Sequence, residues 1–320
     1  MGKNNASARH ISEVGNYGDK REYYASKYLM EHAPPNDPVA CIRSLEEFDV
    51  RWTMLHLGQE KGDYLDGAIR ALISEKRRGK KRNSRHQPIQ HSDGATESGA
   101  GTTCCPNTEA LSEHPTPIHA LEIGAYIGYS AIRIGRLLAA EADPGSTLLS
   151  VEQNEDNSRY AAAHVNHAGL NKTVTVLHSK IEECFKNGEK DETDGEGIAI
   201  NAGYRENFSC RVPYDFVFLD HRKPFYLRDL KLLESRGVID ASVTTLVADN
   251  VAPLEHLRNR AQAIARGKRN GPCKCVNKAC DFLDYVRQKW SSTEIFYGEN
   301  TKDGISISKP ASKSNIDVVQ

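Results

Sequence analysis

The spacing of apolar positions changes partway along the chain. Between Arg21 and Ile73 apolar residues recur at helical spacing, as in YYASKYLMEHA and GAIRALI, and a Pro-Pro pair separates the first stretch from the next. From Ile118 onward, short apolar runs alternate with helical stretches in the order HALEIG, YSAIRIGRLLAA, STLLSVEQN and TVTVLH. The pattern predicts roughly three N-terminal helices followed by a region of alternating strands and helices.

Such alternation is typical of a parallel sheet with crossover helices, in which ligands bind at the carboxyl ends of the strands. Two later apolar runs, DFVFLDH and TTLVADN, end in polar groups, and STEIFYG and GISISK are separated by ENTKDG in the manner of an antiparallel hairpin. The predicted fold is α/β: a doubly wound, mostly parallel sheet of roughly seven strands, Rossmann-like, with an antiparallel C-terminal hairpin.

Polar and low-complexity stretches set the predicted domain boundaries. Residues 1–20 and 310–320 are polar and are predicted to be disordered ends of a single domain over residues 21–309. Three stretches interrupt the domain pattern, at about residues 74–117, 187–207 and 258–278, and are interpreted as insertions or loop expansions. The first is predicted to be disordered, because it has too little apolar surface to offset its ordering entropy.

Composition excludes several classes of partner. The chain has 320 residues, of which 38% are hydrophobic and 27% charged, and its net charge of -1 favours neither nucleic acid nor a membrane surface. It has a polar N-terminus and no apolar run of roughly 18 residues, which predicts a cytoplasmic protein whose eight cysteines are reduced. The basic run at residues 76–85 lacks the interleaved aromatics of a nucleic-acid site. A small-molecule partner is expected, and the chain is expected to be a monomer.

A glycine-containing loop follows the first predicted strand. Gly124 and Gly128 would let the backbone turn tightly and approach a ligand closely, although such a pair alone is also typical of an ordinary turn. Glu152 ends the next strand, where a carboxylate can accept both hydroxyls of a ribose. Together the loop and Glu152 indicate an adenosine-type ligand, and the absence of a phosphate-binding lysine loop favours a nucleoside over a nucleotide.

Two further strands end in oxygen-bearing side chains. Asp220 follows YDFVFL, and Asp249 and Asn250 follow TTLV. Two carboxylates and an amide at neighbouring strand ends are suited to a hard cation such as Mg²⁺, although a single acidic strand end is usually a turn or a helix cap. The sequence therefore predicts a magnesium site.

The segments LEIGAYIGYSA, LLSVEQN, VFLDHRK and LVADN resemble, in order and interval, the motifs of catechol O-methyltransferases. The earlier stretch RWTMLHLGQEKGDYLDGAI resembles the segment that precedes the family's first strand, and the likeness extends from about Arg21 to Lys309. The resemblance implies a class I S-adenosylmethionine-dependent methyltransferase that also uses Mg²⁺ to methylate a catechol hydroxyl.

The resemblance also implies roles for individual residues. Lys223 would be the general base, and the magnesium ligands would be Asp220, Asp249 and Asn250. The cofactor-binding residues would be Leu57, Gly58, Glu122, Gly124, Tyr126, Gly128, Ser130, Glu152, Asp220 and His221. Those nearest the substrate would be Trp52, Arg222, Lys223, Asn250, Pro253 and Glu299.

The chain departs from the family pattern at three places. Arg222 stands where catecholamine-methylating members carry a tryptophan, which removes an aromatic ring from that side and would favour a carboxylated catechol. Ile181 and Glu182 stand where the family has a serine and a glutamine beside the adenine. Glu299 is the nearest counterpart of a hairpin glutamate in the family.

Two alternatives remain open on the sequence. The chain could be a binding module that keeps the cofactor pocket and engages protein or RNA through its insertions, or an O-methyltransferase acting on another phenol or diol. A zinc site from His256, Cys273, Cys275 and Cys280 is disfavoured, because the cysteine spacing does not match standard zinc motifs.

Overall fold

The structure is a computed structural model, and it describes residues 17–84, 116–185, 213–251, 274–299 and 304–311. Most of the three predicted insertions, together with Pro253, His256, Cys273 and residues 1–16, lie outside these ranges.

The helices begin at capping residues that the sequence supplies. Asp37 accepts the Ala40 N–H ahead of a proline at the first helical position, and Asn154 accepts the Asn157 N–H. The helices are α1 (Arg21–His32), α2 (Pro38–Arg51), α3 (Gln59–Ser84), α4 (Tyr129–Glu141), α5 (Glu155–His167), α6 (Ile181–Cys184), α7 (Tyr226–Ser235) and α8 (Lys274–Lys289). Within the described ranges, none of them is both long and apolar enough to cross a bilayer.

The strands form one mixed seven-stranded sheet, as predicted. They are β1 (His119–Ile123), β2 (Thr147–Glu152), β3 (Val174–His178), β4 (Phe216–Leu219), β5 (Thr245–Val251), β6 (Ser292–Tyr297) and β7 (Gly304–Lys309). Their order is β3-β2-β1-β4-β5-β7-β6, with β7 antiparallel to both of its neighbours and the first five strands parallel. The order reverses between β1 and β4, where a doubly wound sheet opens a crevice.

The central strands β1, β2, β4 and β5 are buried on both faces, which explains their nearly continuous apolar runs. In β4, Phe216 and Phe218 pack on the side of α1 to α5, whereas Val217 and Leu219 pack on the side of α7 and α8. The same alternation separates Ala120 from Leu121 in β1. The result is a three-layer α/β/α arrangement that holds the strand ends rigidly.

The structure differs from the sequence interpretation at three places. Residues 74–84 were predicted to be disordered but are helical, since α3 continues to Ser84. Its charged side chains find partners on the rest of the domain: Lys76 pairs with Asp215, and Arg77 donates to the Glu141 carbonyl. The C-terminal part of α3 is polar, but its lysine and arginine residues have high helix propensity, and the contacts with these partners stabilise it further.

The other two corrections lie at the ends of predicted disordered or looped stretches. Residues 17–20 are placed rather than disordered, with Tyr17 beneath the Arg21 guanidinium and its N–H donating to Glu22. At the third insertion, α8 already begins at Lys274, inside the predicted 258–278 loop.

The helical glycines give a matched pair of substitutions. We expect Gly135→Ala to lower the unfolding free energy by about 1–3 kcal/mol, because the new methyl group would overlap the Val174 side chain in a packed interface. Gly67→Ala should raise it by about 0.5–1 kcal/mol, because Gly67 is an exposed helical position with nothing within 4 Å of the added carbon. Urea unfolding of both variants measures the difference, and equal effects would contradict the described packing of α4 on β3.

Candidate active site

A cavity of about 480 Å³ opens at the carboxyl ends of β1, β2, β4 and β5. Its lining includes eight residues predicted from the sequence: Gly124, Tyr126, Glu152, Asp220, His221, Arg222, Lys223 and Asn250. It also includes residues that the sequence analysis did not assign to the site, among them Leu55, Gln153, Lys180, Phe225, Arg228 and Asp229. The predicted residues therefore converge on one crevice at the switch point of the sheet.

The loop after β1 lies against the loop after β4. Gly124 has φ +100°, and a Cβ on it would lie 2.5 Å from the Asp220 carbonyl oxygen. Tyr126 also has a positive φ, of 48°. A side chain at position 124 would separate the two loops, so the glycine is required by the close backbone approach.

Glu152 is bound on both carboxylate oxygens by this loop and its own turn. One oxygen accepts the Tyr126 N–H and the other the Asn154 N–H, each at 2.8 Å. Burial raises its pKa to about 7, although the backbone N–H donors act in the opposite direction. The carboxylate is held rigidly at the cavity wall, in the position that the sequence predicted for a ribose acceptor.

Glu122 lies behind the cavity wall and is fully buried. Its Oε2 accepts from the Ser150 hydroxyl, and Ser130 also donates to the carboxyl group. Its Oε1 has no hydrogen-bond partner among the described residues. Burial raises its pKa to about 7. Glu122 and Ser130 form one unit next to the cavity, but neither side chain lines it.

Tyr126 is tethered to the N-terminal helix. Its hydroxyl donates to Glu22 Oε1 at 2.9 Å, and Glu22 is only 5% exposed. The Tyr126 pKa is raised by burial and by the Glu22 charge. The sequence analysis missed Glu22, because its polar neighbours in REYY gave no sign that this carboxylate faces inward.

Asp249 and Asn250 lie at an irregularity in β5, where the pairing with β7 shifts register between Ala248 and Val251. Asn250 has φ 50°, a left-handed conformation, and its amide donates to Asp249 Oδ2 at 2.8 Å. Asp249 is 2% exposed, and the Lys61 ammonium lies 2.7 Å from Oδ1 and 2.8 Å from Oδ2. Lys61 was not predicted as a site residue, because its partner is 188 positions away.

Asp220 faces Asp249 across the strand ends. Burial and the charge of Asp249 raise its pKa well above the ordinary value, whereas Lys61 and Lys223 act to lower it. Two carboxylates and an amide at this place have the donor chemistry of a hard-cation site, and a bound cation would relieve the repulsion between the acids. Within the described ranges, no three histidine, cysteine or acidic side chains converge as a metal site.

His221 is fixed by a carboxylate that the sequence analysis did not assign. Its Nε2 lies 2.8 Å from Asp229 Oδ2, and its ring packs on Tyr226. The pKa of Asp229 is lowered despite its burial, because His221 and Arg228 bind the carboxylate. The Tyr226 hydroxyl in turn donates to the Asp249 carbonyl at 3.0 Å. These contacts connect His221 to the backbone of the predicted metal site.

Phe225 supplies an aromatic ring on the side where Arg222 replaces the family tryptophan. It lines the cavity, and the guanidinium carbons of Arg222 and Arg228 lie 5.6 and 4.4 Å from its ring centre. Arg228 also pairs with Glu182 at 2.9 Å. The cavity therefore has an aromatic ring three positions after Arg222, although position 222 itself carries none.

Several predicted residues lie outside the cavity lining. The segment containing Leu57 and Gly58 reaches the cavity through Leu55 instead, and Gly58 donates to His56 Nδ1. Trp52 ends α2 and stacks on Tyr24 at 5.8 Å. Gly128, Glu122, Ser130 and Asp249 stand behind the lining, Glu299 is exposed after β6, and Pro253 lies outside the described residues.

Comparison with known proteins gives one family and several relatives. A sequence profile described as a methyltransferase domain, Methyltransf_24, matches residues 121–249. The chain is 27% identical to catechol O-methyltransferase of Bos taurus over 253 residues, covering 77% of this chain and 69% of that protein. It is 28% identical to a probable O-methyltransferase of Mycobacterium tuberculosis over 247 residues, covering 77% and 79%.

Two more comparisons bear on the fold and the class. A transmembrane O-methyltransferase homolog of Mus musculus is 33% identical over 236 residues, covering 73% of this chain and 66% of that protein. A solved structure of a putative caffeoyl-CoA O-methyltransferase from Staphylococcus aureus aligns with TM-score 0.50 and 16% identity, covering 91% of this chain and 99% of that one. The structural likeness supports the Rossmann-like fold, and the relatives support an enzyme rather than a non-catalytic module.

The buried Glu122 gives a prediction about stability and pH. Its pKa rises from 4.5 to about 7 on folding, so the folded protein holds this proton more tightly than the unfolded chain does. Stability from this group is therefore present at low pH and is lost as the pH rises from 4.5 through 7, by roughly 3 kcal/mol in total. Glu122→Gln removes the titration and should make the cofactor-free protein more stable than wild type at pH 8, with a smaller difference at pH 5.

Urea unfolding at both pH values tests this prediction, with the exposed Glu155→Gln as the control. Glu152 has a similarly raised pKa, so part of the pH dependence should remain in the variant. Identical pH profiles for wild type and Glu122→Gln would contradict the assignment.

Proposed function

We propose that this chain, which belongs to the class I S-adenosylmethionine-dependent O-methyltransferases and resembles catechol O-methyltransferase, transfers a methyl group from S-adenosylmethionine to a catechol hydroxyl with the help of Mg²⁺. The observation that carries the proposal is the convergence of Asp220, Asn250 and Lys223 on one cavity wall, with Asp249 directly behind it. Neighbouring acids, an amide and a lysine beside a cofactor cleft match the chemistry that this reaction needs.

Asp220, Asp249 and Asn250 would hold the magnesium ion. Bound there, the ion would supply positive charge that makes a catechol hydroxyl more acidic. Lys223 lies in the short turn Lys223–Phe225 on the cavity wall and would accept the hydroxyl proton. The turn lies between β4 and α7 and begins three positions after Asp220.

The other predicted residues would bind the cofactor. Glu152 would accept the ribose hydroxyls, since its backbone donors hold the carboxylate toward the cavity. His221 would pack on the adenine, held in place by Asp229. The amino-acid end would lie near Tyr126 and the Glu122–Ser130 unit, with Leu57 and Gly58 approaching from the N-terminal side. Rigid positioning of donor and acceptor can contribute roughly 7–11 kcal/mol to such a transfer.

The resemblance implies that Trp52, Pro253, Glu299 and Arg222 are near the substrate, and of these four the cavity lining includes Arg222. Arg222 is exposed at the cavity mouth, where a guanidinium can pair with a carboxylate on the substrate ring. A carboxylated catechol is therefore the preferred substrate class in this proposal, and another phenol or vicinal diol is the alternative. Cytoplasmic location and a monomeric state remain predictions from the sequence.

The reaction is tested by methyl transfer to a panel of catechols with and without Mg²⁺. We expect turnover to depend on Mg²⁺ and Asp249→Ala to lower kcat/KM by at least about 100-fold, because it removes a carboxylate that would hold the ion. The exposed Asp156→Ala on α5 serves as the control and should retain activity. Full activity in chelator, or no turnover of any catechol despite cofactor binding, would overturn the catechol and magnesium assignment.

Arg222 is tested separately by substrate preference. Arg222→Gln should lower kcat/KM for 3,4-dihydroxybenzoate by about 2- to 5-fold while leaving neutral catechol nearly unchanged, because an exposed ion pair contributes at most about 1 kcal/mol. The preference for the acid should also weaken at high salt in the wild type. Arg159→Gln, an exposed arginine on α5, is the matched control. An equal loss for both substrates would show that Arg222 has a general structural role instead.

A further inference from the structure

Lys61 is a buried cation in an unusual position. It lies in the first turn of α3, where the helix dipole disfavours a positive charge, and it is only 5% exposed, although lysines are almost never fully buried without a partner. Its ammonium contacts both oxygens of Asp249, at 2.7 and 2.8 Å. Lys61 is therefore unfavourable in two ways, by its burial and by its place in the first turn of the helix. A residue that breaks local preferences in this way is typical of a functional site, and its contact here is with Asp249.

The surroundings of Lys61 are acidic. Four acids lie at the strand ends, namely Glu122, Glu152 and Asp249, all buried, and the partly buried Asp220. The described part of the chain has two other buried cationic side chains, and each of them binds carboxylates outside this group of four. Arg21 binds Asp19, and Arg133 binds Asp63 and Asp66 on α3. Lys61 is therefore the buried cation, in the described ranges, that balances the strand-end acids.

We propose that Lys61 is the resident counter-cation of the metal site, which neutralises and orients Asp249 in the metal-free protein and lowers the affinity of the site for a divalent cation. The inference rests on the proposed magnesium site. A divalent cation that binds Asp249 shares that carboxylate with the ammonium, and two positive charges on one carboxylate repel each other. The site therefore stays folded without metal, and the metal exchanges readily.

Neutral variants of Lys61 test this role by metal binding rather than by turnover. Lys61→Met should bind Mg²⁺ about tenfold or more tightly than wild type in calorimetric titrations without substrate, because the competing charge is gone. Its metal-free form should melt at a lower temperature, because Asp249 is left buried without its cation, and Mg²⁺ should raise its Tm by more than it raises that of wild type. Lys61→Arg keeps the charge and should stay within about threefold of the wild-type affinity.

Two further variants keep the test decisive. If Lys61→Met does not fold, Lys61→Gln retains a hydrogen-bond donor for Asp249 without the charge and should show the same tightening. Lys76→Met removes another lysine of α3 that pairs with an aspartate, Asp215, at the opposite end of β4. This control should bind Mg²⁺ like wild type, even if its Tm falls.

The outcomes separate this inference from the proposed function. Tighter Mg²⁺ binding in the neutral variants supports the inference, including the case in which wild type shows no measurable binding. If wild type binds Mg²⁺ and the neutral variants bind it equally or more weakly, the inference about Lys61 is overturned. The proposed magnesium site is then retained, and Lys61 has only a structural role. Absence of Mg²⁺ binding in every variant, with S-adenosylmethionine binding intact in the same preparations, overturns both this inference and the magnesium part of the proposed function.

Discussion

The concentration of acids at the carboxyl ends of the parallel strands is the constraint on which the rest of the site depends. Glu122, Glu152, Asp220 and Asp249 come from four different strand ends, and an ionised carboxylate withdrawn from water is costly unless it is paired or hydrogen-bonded. The chain meets this cost differently at each acid. Glu152 receives two backbone N–H groups, Glu122 receives hydroxyls, and Asp249 receives an ammonium and an amide.

The rigidity of this arrangement follows from the backbone as much as from the acids. Gly124 lets the loop after β1 touch the carbonyl of Asp220, and the Tyr126 N–H then reaches Glu152, so that three strand ends are connected through one loop. The left-handed conformation of Asn250 turns the chain where the pairing of β5 with β7 is interrupted. A strained backbone conformation of this kind persists where the packing around it holds it in place. Here the strands on either side of β5 are buried on both faces.

The sequence predicted the sheet and eight of the residues that line the cavity, because both are encoded locally. Buried parallel strands give short apolar runs, and the polar residue that ends each run must lie at the carboxyl edge, so Glu152, Asp220 and Asn250 could be placed without coordinates. Lys61 and Glu22 could not be placed in this way. Each contacts a partner more than a hundred positions away, and in the sequence each looks like an ordinary charged residue in a helix. The extension of α3 was missed for a similar reason, since its partners Asp215 and Glu141 belong to other elements.

The residues that the sequence analysis missed indicate that the N-terminal helices contribute side chains to the site. The methyltransferase-domain match covers residues 121–249, yet α1 supplies the acceptor for Tyr126 and α3 supplies the cation for Asp249. Arg133 on α4 fixes α3 through Asp63 and Asp66, and a Cβ at Gly62 would lie 2.6 Å from the Arg133 guanidinium, so the first turn of α3 is closely packed. Lys61 is the residue immediately before Gly62, and its backbone position is therefore set by this packing. The helices that precede the sheet thus act on the charge balance and geometry of the site, and not simply as a cover for one face of the sheet.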